Sequence, residues 1–391
     1  MNPSIKHAIQ SNFSPSLQND LISLRHDLHR HPELSNEEFN TQARLLDALN
    51  RCNVSDINTV KTGIIARIKG NCSTRSPVAI RADMDALPIQ EATGVDCISV
   101  NDGVMHACGH DVHMAWAMGA ARLLSETPAE TDVILIFQPA EELGEGAKMM
   151  MDSGAIPNDI QAIFGGHVDR RYAVGDVVLH EGAISSFSDQ FLFTIQGQSA
   201  HAARPNEGRN PIPILADVCK TIVGINDTHG NATNLVSITT IRGGERHNII
   251  PDQASLSGTI RCLCQQTRST LHEQLNQLSG SDRHFSLDIH PVSPAIINAS
   301  TLTTIAQRSI HDAVGSSGQV DLIEPNMASE DFGVYASQFP AWFFRFGARH
   351  RNDGFIPAHN PQFFVEDDTV FVGAMVLANA ARYASAVPTN T

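Results

Sequence analysis

The spacing of hydrophobic residues predicts alternating helices and buried strands over most of the chain. Four leucines recur three or four residues apart, as on the apolar stripe of an amphipathic helix over 16–30: Leu17, Leu21, Leu24 and Leu28. Short apolar runs, typical of strands covered on both faces, lie at 78–82, 132–137, 162–168 and 341–346. Helices are predicted at 37–49, 114–126, 148–153, 302–314 and 368–384. Helices and buried strands that alternate in this way indicate an α/β domain built on a mixed sheet.

Between residues 186 and 297 the pattern changes to apolar and polar residues in alternation. Phe191, Phe193 and Ile195 alternate with polar or small residues, as in a strand with one face in solvent. Strands and helices are predicted in the order strand, helix, strand, strand, helix, strand, at 190–196, 211–225, 235–242, 253–263, 267–278 and 285–290. This order is that of a ferredoxin-like α+β sandwich. We therefore predict that this domain, 186–297, is inserted into a domain formed by 1–185 and 298–391.

The length of the chain agrees with two domains, its charge limits the possible partners, and its cysteine content indicates the redox state of the thiols. The chain has 391 residues, which exceeds the roughly 250–300 at which one core usually stops growing. A net charge of -15 argues against a nucleic-acid partner, which requires a basic face. Seven cysteines spread over this length favour reduced thiols. No signal-peptide pattern or apolar run of ~20 residues is present, so we expect a soluble, cytoplasmic protein without a membrane partner.

The stretch from His106 to His113 concentrates three imidazoles, one thiol and one carboxylate. Cys108 and His110 are two residues apart and could reach one ion or two adjacent ions. The alternative is that Cys108 is a small buried hydrophobic residue in a histidine-rich chain. Another group, His26, His29 and His31, is interpreted as solvated surface histidines, because no acid or thiol accompanies them in ligand spacing.

Ligand-type side chains also follow the apolar strands. Asp83 follows the first strand and could bind a metal, orient a metal-bound histidine or only form a turn. Glu141 and Glu142 follow the second strand, where one could bind a metal while its neighbour accepts a proton from water. His167 lies at the end of the third strand, and His359 follows the fourth. Ligand sites in open α/β sheets lie at such strand ends.

Together these segments offer more ligands than one tetrahedral zinc needs. The five candidates are Cys108, His110, Glu142, His167 and His359. They suit two divalent cations that share a water molecule, and Glu141 remains to accept its proton. Four positive metal charges against one thiolate and one carboxylate would leave a positive field that acidifies water and polarises a carbonyl. The sequence therefore predicts hydrolysis at a carbonyl group.

The motifs that carry this chemistry resemble those of the M20 metallopeptidase family, in its amidohydrolase branch. They are Arg-Ala-Asp-Met-Asp-Ala-Leu-Pro (81–88), Met-His-Ala-Cys-Gly-His-Asp-Val-His (105–113), Gln-Pro-Ala-Glu-Glu (138–142), Gly-Gly-His-Val (165–168), Gly-Gln-Ser-Ala-His-Ala-Ala-Arg-Pro (197–205), Asn-Ile-Ile-Pro-Asp (248–252), Ser-Glu-Asp-Phe (329–332) and His-Asn-Pro (359–361). The branch includes aminoacylase-like enzymes, hippurate hydrolases and auxin-conjugate hydrolases. The resemblance covers nearly the whole chain in order.

The resemblance implies the same five metal ligands and a role for each further residue. Glu141 would be the general base, and Asp83 would orient a ligand. His201 would stabilise the tetrahedral oxyanion, in several members from the partner subunit, which implies a homodimer. Asn248 and Arg261 would face the substrate, although Arg261 could equally be a surface charge. Zinc or manganese is expected, with cobalt or nickel possible.

The resemblance therefore implies a di-metal catalytic domain with an inserted lid and dimerisation domain. The expected activity is cleavage of N-acyl amino acids at a linear amide bond. The alternatives are a dipeptidase or carboxypeptidase of the same family, or a non-catalytic relative that binds a small molecule. Three positions depart from the common pattern: Glu145, where a further glycine is common, and Gln198 and Ser199, which could narrow the substrate entrance.

Overall fold

The computed structural model describes residues 3–229, 234–279 and 284–387. The helices are α1 (Pro3–Asn12), α2 (Pro15–Arg30), α3 (Phe39–Leu49), α4 (His110–Glu126), α5 (Gly146–Asp152), α6 (Pro211–His229), α7 (Gln265–Ser279), α8 (Thr303–Val314), α9 (Gly333–Ala336) and α10 (Asp368–Ala386). The strands are β1 (Val54–Val60), β2 (Gly63–Ile68), β3 (Val78–Asp83), β4 (Val133–Gln138), β5 (Ala162–Ala173), β6 (Val177–Val178), β7 (Gly182–Ala183), β8 (Phe187–Gln196), β9 (Ala200–His201), β10 (Asn234–Gly243), β11 (Ile249–Ile250), β12 (Gln253–Cys262), β13 (Phe285–Ser293), β14 (Ile297–Asn298), β15 (Gln319–Val320) and β16 (Ala341–Arg349).

The chain divides into two compact units. The first comprises Met1–Gly182, Ile297–Ile323 and Asp331–Thr391, and the second comprises Ala183–Ile296 and Glu324–Glu330. The sequence assigned 324–330 to the catalytic domain, whereas the structure groups this segment with the second unit. Two hydrogen bonds explain the difference, because Asn326 N donates to Ile184 O at 3.1 Å and Ser186 Oγ donates to Met327 O at 2.8 Å.

An eight-stranded mixed sheet forms the centre of the first unit, in the order β1-β2-β4-β3-β5-β16-β6-β15. β3 is parallel to both β4 and β5, and β5 is parallel to β16. All residues of β3 and β4 are buried, which explains their continuous apolar runs. The mixed α/β fold is therefore as predicted. β1 and β2 were not predicted. β1 is a largely exposed edge strand with a polar sequence, whereas β2 is apolar and mostly buried and was missed despite that pattern.

Helices α4 and α10 pack closely against each other. A Cβ atom at Gly373 would lie 2.5 Å from Cε3 of Trp116, so only glycine allows this approach. Trp116 is fully buried and stacks on His113 at 4.4 Å between ring centroids. This contact fixes the face of α4 that carries His113.

The second unit has the ferredoxin-like arrangement that the sequence predicts. Its four-stranded sheet has the order β10-β12-β8-β13, and every neighbouring pair is antiparallel. Apolar side chains from α6 and α7 join those of the sheet in one core, including Phe191, Phe193, Leu215, Ile222, Ile260, Leu271 and Leu275. In β12 every second residue is buried, so one face of the sheet covers this core.

A network of buried charges joins α2 to the start of α4. Arg25 Nε donates to Asp111 Oδ2 at 2.8 Å, and His29 Nδ1 lies 2.9 Å from the same oxygen. His29 Nε2 lies 3.2 Å from Glu91 Oε1. Burial alone would lower the pKa of His29, but Asp111 and Glu91 raise it above the ordinary value. The prediction that His29 is a solvated surface residue was wrong, because its acidic partners come from distant segments.

The same network lies at the start of α4. The sequence predicted a start at Met114, but the helix begins at His110, directly after Gly109 in a left-handed conformation (φ 86°). Asp111 lies in the first turn, where a carboxylate interacts favourably with the helix dipole. The charge network therefore holds the residues around Cys108 and His110 to α2.

No helix among the described residues combines the length and apolar character needed to cross a membrane.

Substituting Arg25 tests how much the buried network contributes to stability. Arg25→Ala removes the guanidinium from the buried Asp111 carboxylate and leaves it with His29 alone, so we expect a loss of about 3–5 kcal/mol in the free energy of unfolding. Denaturant unfolding measures this loss. The control is Arg51→Ala, which removes an exposed ion pair with Asp20 (3.5 Å) and should cost less than about 1 kcal/mol. Equal effects of the two substitutions would contradict a dominant role for the network.

Candidate metal centre

Four segments of the first unit bring the five predicted ligands together. Cys108 and His110 lie on either side of Gly109 at the start of α4, and a Cβ atom at Gly109 would lie 2.5 Å from Val168 Cγ2. Glu142 follows β4, His167 belongs to β5, and His359 lies in the loop before α10. The His359 N–H donates to Ala107 O at 2.8 Å, which ties that loop to the Cys108 segment.

The sequence placed His167 at the end of a strand, but the structure places it inside β5. β5 runs from Ala162 to Ala173 and pairs with β16 along most of this length, with His167 opposite Arg345. Its pairing with β3, by contrast, runs only from Ala162 to Phe164. Continued at the same register, His167 lies level with Asp83, the last residue of β3.

The ligand atoms form overlapping groups in which all members lie within 4.8 Å of one another. These groups are Cys108–His110–His167, Cys108–Glu142–His359 and His110–Glu141–Glu142. Cys108 Sγ lies 3.2 Å from His167 Nε2, and His359 Nε2 lies 3.4 Å from Glu142 Oε2. Cys108 belongs to the first two groups, so two cations could share its thiolate.

Hydrogen bonds determine which ring nitrogens are available to a metal. His110 Nδ1 lies 2.9 Å from Asp85 O and His167 Nδ1 lies 2.6 Å from Val168 O; since a carbonyl oxygen only accepts, both nitrogens donate. Each ring therefore presents Nε2 to the cluster. Burial would lower the pKa of His110, but the charge of Asp83 and contacts with Asp85 and Cys108 raise it well above the usual value, so a metal would displace a proton from its Nε2. Nε2 of His110 is buried and has no hydrogen-bond partner among the described residues. A ring that donates through Nδ1 has the orientation that ligation through Nε2 needs.

His113 differs from these two ligands because both its ring nitrogens are engaged. Nδ1 donates to Asp83 Oδ1 at 2.6 Å, and Nε2 accepts the Val168 N–H at 3.1 Å. Asp83 also accepts a 2.6 Å hydrogen bond from Arg81 Nη1. Asp83 and His113 thus orient the end of β3, the start of α4 and β5 relative to one another.

The cluster strongly perturbs the pKa values of its members. Burial and Glu142 raise the pKa of the Cys108 thiol. Hydrogen bonds with Cys108 and Glu142 raise the pKa of His359 to about 10. Burial would raise the pKa of Asp83, but the positive charges of its neighbours hold it well below the usual range. Concentrated donors with opposed protonation preferences are typical of a functional site.

The donor set fits divalent cations. A thiol, three imidazoles and a carboxylate are the ligand types that zinc prefers, and thiolate binds only soft or borderline metals well. Glu142 Oε1 is buried and, like His110 Nε2, has no hydrogen-bond partner among the described residues. A bound cation would satisfy both atoms, which would otherwise be costly to bury.

Glu141 lies beside this cluster. Its side chain is 10% exposed, and Oε2 lies 4.0 Å from His110 Nε2. Glu142 Oε1 lies at the same distance from that nitrogen. The two adjacent carboxylates therefore approach one imidazole from different positions, so a ligand and a proton acceptor can act side by side.

The three remaining candidates lie in the second unit. His201 in β9 is opposite Ile249 in β11, and the Ala202 N–H donates to Asn248 O at 2.9 Å, so His201 and Asn248 are neighbours. Both are exposed. Arg261 lies on β12, opposite Ser188, away from this pair. Its Nε donates to Thr259 Oγ1 at 3.1 Å, whereas Nη1 is buried and has no hydrogen-bond partner among the described residues.

Two acidic residues beside the centre were missed by sequence reasoning. Asp85 is buried and accepts the backbone N–H groups of Glu141 and Glu142. Glu38 is buried and accepts the Ala140 N–H at 2.9 Å. The position of Asp85, two residues after Asp83 at the same strand end, was a usable signal. Glu38 carried none, since it lies in a polar stretch at the start of α3.

Comparison with known proteins gives one consistent result. The sequence model described as Peptidase family M20/M25/M40 matches residues 79–383. The N-acetylcysteine deacetylase of Bacillus subtilis (strain 168) is 33% identical over 372 residues, 92% of this chain and 96% of that protein. Thermostable carboxypeptidase 2 of Saccharolobus solfataricus is 33% identical over 376 residues, 92% of this chain and 93% of that protein.

A solved structure supports the same relationship. The crystal structure of a Bacillus subtilis protein described as a dinuclear metal-binding peptidase from the M20 family has a TM-score of 0.82 and 32% identity. The match covers 94% of this chain and 98% of that one. The resemblance identified from the motifs is thereby confirmed. The protein belongs to peptidase family M20/M25/M40 and is a metal-dependent hydrolase.

Proposed function

We propose that this hydrolase cleaves the amide bond of N-acyl amino acids, releasing a carboxylic acid and a free amino acid. The observation that carries the proposal is the convergence of five ligand-type side chains from four segments beside the carboxylate of Glu141. This combination suits attack of water on a carbonyl carbon and proton transfer to the leaving group.

The proposed centre holds two divalent cations. One would be bound by Cys108, His110 and His167, and the other by Cys108, Glu142 and His359. The solved relative described as dinuclear supports the number of ions. A thiolate favours zinc, whereas imidazole and carboxylate also accept manganese, cobalt or nickel.

Within this centre the proposed catalytic group is Glu141. When bound, the two cations supply Lewis acidity that lowers the pKa of a water molecule and polarises the amide carbonyl. Glu141 takes a proton from the attacking water and returns it to the amine nitrogen as the C–N bond breaks. Its largely buried side chain limits competing water, which strengthens such a proton transfer.

Arg81 favours an amidohydrolase over the alternative of a dipeptidase or carboxypeptidase. The resemblance to the family implies that its peptidase members generally carry a His-x-Asp pair where this chain has Arg81-Ala82-Asp83. The Arg81 guanidinium donates to Asp83, Gln138 and Asp331 at 2.6–2.8 Å and supplies no metal ligand. Percentage identity does not discriminate, because the deacetylase and the carboxypeptidase are both 33% identical.

The second unit is proposed to supply substrate contacts. Arg261 would bind the carboxylate of the amino-acid product through its buried, unpartnered Nη1. Asn248 would contact the substrate amide, and its neighbour His201 would stabilise the tetrahedral oxyanion. We propose a homodimer in which His201 acts on the centre of the partner subunit.

Metal binding should depend on pH. The pKa of Cys108 is raised, and the pKa of His359 is raised to about 10, so at pH 7 both ligands keep their protons in the metal-free protein. Zinc must displace these protons, so its apparent affinity should fall as pH falls, by roughly tenfold per unit for each proton displaced. Chelator competition between pH 6 and 8.5 measures this slope, and Cys108→Ser should reduce it. An affinity independent of pH would contradict ligation by these two groups.

A substrate panel tests the proposed reaction. Zinc- or manganese-loaded protein is assayed on N-acetyl amino acids, hippurate and dipeptides, with release of free amino acid as the measurement. We expect higher kcat/KM on N-acyl amino acids. A preference for dipeptides would favour the peptidase alternative, and turnover of no member of the panel would favour a non-catalytic binding role.

Glu141→Gln is the matched control for this assay. Glutamine keeps the shape of the side chain but cannot accept the proton, so kcat should fall by about 10²–10⁴-fold. The metal content should remain two ions per chain. Near-normal activity in this variant would remove Glu141 from the mechanism.

A mixing experiment tests whether His201 acts across a dimer. Glu141→Gln and His201→Ala proteins, each inactive, are combined under conditions in which subunit exchange is verified with two affinity tags. If the site is shared, mixed dimers contain one intact centre, and activity should recover to roughly a quarter of the wild-type value. No recovery despite exchange would mean that His201 acts within its own chain or not at all.

A further inference from the structure

Asp85 forms hydrogen bonds with three residues of the candidate centre: Glu141, Glu142 and His110. Its side chain is buried. Oδ1 accepts the Glu141 N–H at 3.1 Å and Oδ2 accepts the Glu142 N–H at 3.0 Å. Its own carbonyl accepts from His110 Nδ1 at 2.9 Å. We propose that Asp85 is a positioning residue that aligns the base, the carboxylate ligand and the imidazole ligand; this rests on the function proposed above.

The segment after β4 requires such an anchor. Ala140 has a positive φ of 53°, a conformation that costs energy for a residue with a side chain. The chain turns here after the end of β4. The backbone N–H groups of Ala140, Glu141 and Glu142 therefore lie outside the strand pairing of the sheet. All three donate to buried carboxylates, the first to Glu38 and the other two to Asp85. The orientation of both glutamates therefore depends on side-chain acceptors and not on a strand ladder.

Asp85 also orients the ring of His110. Because the Asp85 carbonyl can only accept, His110 carries a proton on Nδ1 and presents Nε2 to the cluster as the atom available to a metal. The carboxylate reinforces this arrangement, since Oδ1 lies 3.4 Å from the same Nδ1. Through these hydrogen bonds, Asp85 holds the base, a carboxylate ligand and an imidazole ligand close to the end of β3.

Ser35 in turn holds Asp85. Its Oγ donates to Oδ2 at 2.6 Å, so that oxygen receives both the hydroxyl and the Glu142 N–H, while Oδ1 receives the Glu141 N–H. An amide at this position would keep one acceptor but would point an N–H group at one of the two backbone donors. Asp85→Asn therefore disturbs the alignment of Glu141 and Glu142 with little change in volume, while the backbone carbonyl of residue 85 still accepts from His110.

The test compares Asp85→Asn with Asp132→Asn. Asp132 is a matched control because it is buried at the opposite end of β4, where it accepts the Gly70 N–H at 3.0 Å and pairs with Arg67 at 3.0 Å. Chelator competition measures zinc affinity, and denaturant unfolding measures stability. The values of kcat and KM are determined on the best N-acyl substrate. Asp85→Asn should lower zinc affinity and kcat about 10–100-fold each, with KM little changed. Asp132→Asn should lower only stability.

The outcomes separate Asp85 from the proposed function. Zinc affinity and kcat within about twofold of those of Asp132→Asn would overturn the positioning role. If the wild-type protein hydrolyses no N-acyl amino acid, the proposed function fails, and the zinc measurement alone still decides the role of Asp85. If Asp85→Asn does not fold, Ser35→Ala, which removes one donor to Oδ2, decides in its place: weaker zinc binding supports the role and unchanged binding overturns it.

Discussion

Buried charge that must be paired is the constraint on which the first unit depends. Arg25, Arg81, Asp83 and Asp111 are all almost fully buried, and each is paired with an opposite charge. An unpaired charge at such a depth costs several kcal/mol, so each of these groups requires its partner. The Arg25–Asp111 pair joins α2 to α4, and a further ion pair of Arg81 joins β3 to Asp331. The elements that carry the ligand-type residues are thereby held in a single arrangement.

The same requirement decides which histidines can serve a metal. His110 and His167 each use Nδ1 to satisfy a backbone carbonyl, and each leaves Nε2 available. His113 has both nitrogens engaged, and its partner Asp83 is held in turn by Arg81. Second partners of this kind set the tautomer and orientation of a ligand ring. The distinction between ligand and support therefore comes from hydrogen bonding and not from residue type.

Periodicity predicted most elements that have one or both faces buried, although it missed the buried strand β2. β3, β4 and β16 were predicted as strands because their residues are mostly apolar, and the order of the main elements in the second unit was correct. The edge strand β1 was not predicted, because its polar sequence carries no such signal. His29 was misjudged as exposed, and Asp85 was overlooked beside Asp83. In both cases the deciding partners lie more than 50 residues away in the chain.

The sequence by itself determined the two-domain α/β organisation, which follows from hydrophobic periodicity. It also determined the family and the candidate ligand types, which follow from contiguous motifs. Tertiary structure alone decided that α4 begins at His110, that His167 lies inside β5, and that Asp85 holds the segment carrying Glu141 and Glu142. The physical reason is that buried hydrogen bonds and ion pairs join residues far apart in the chain, and local sequence carries no record of which partner each polar group will meet.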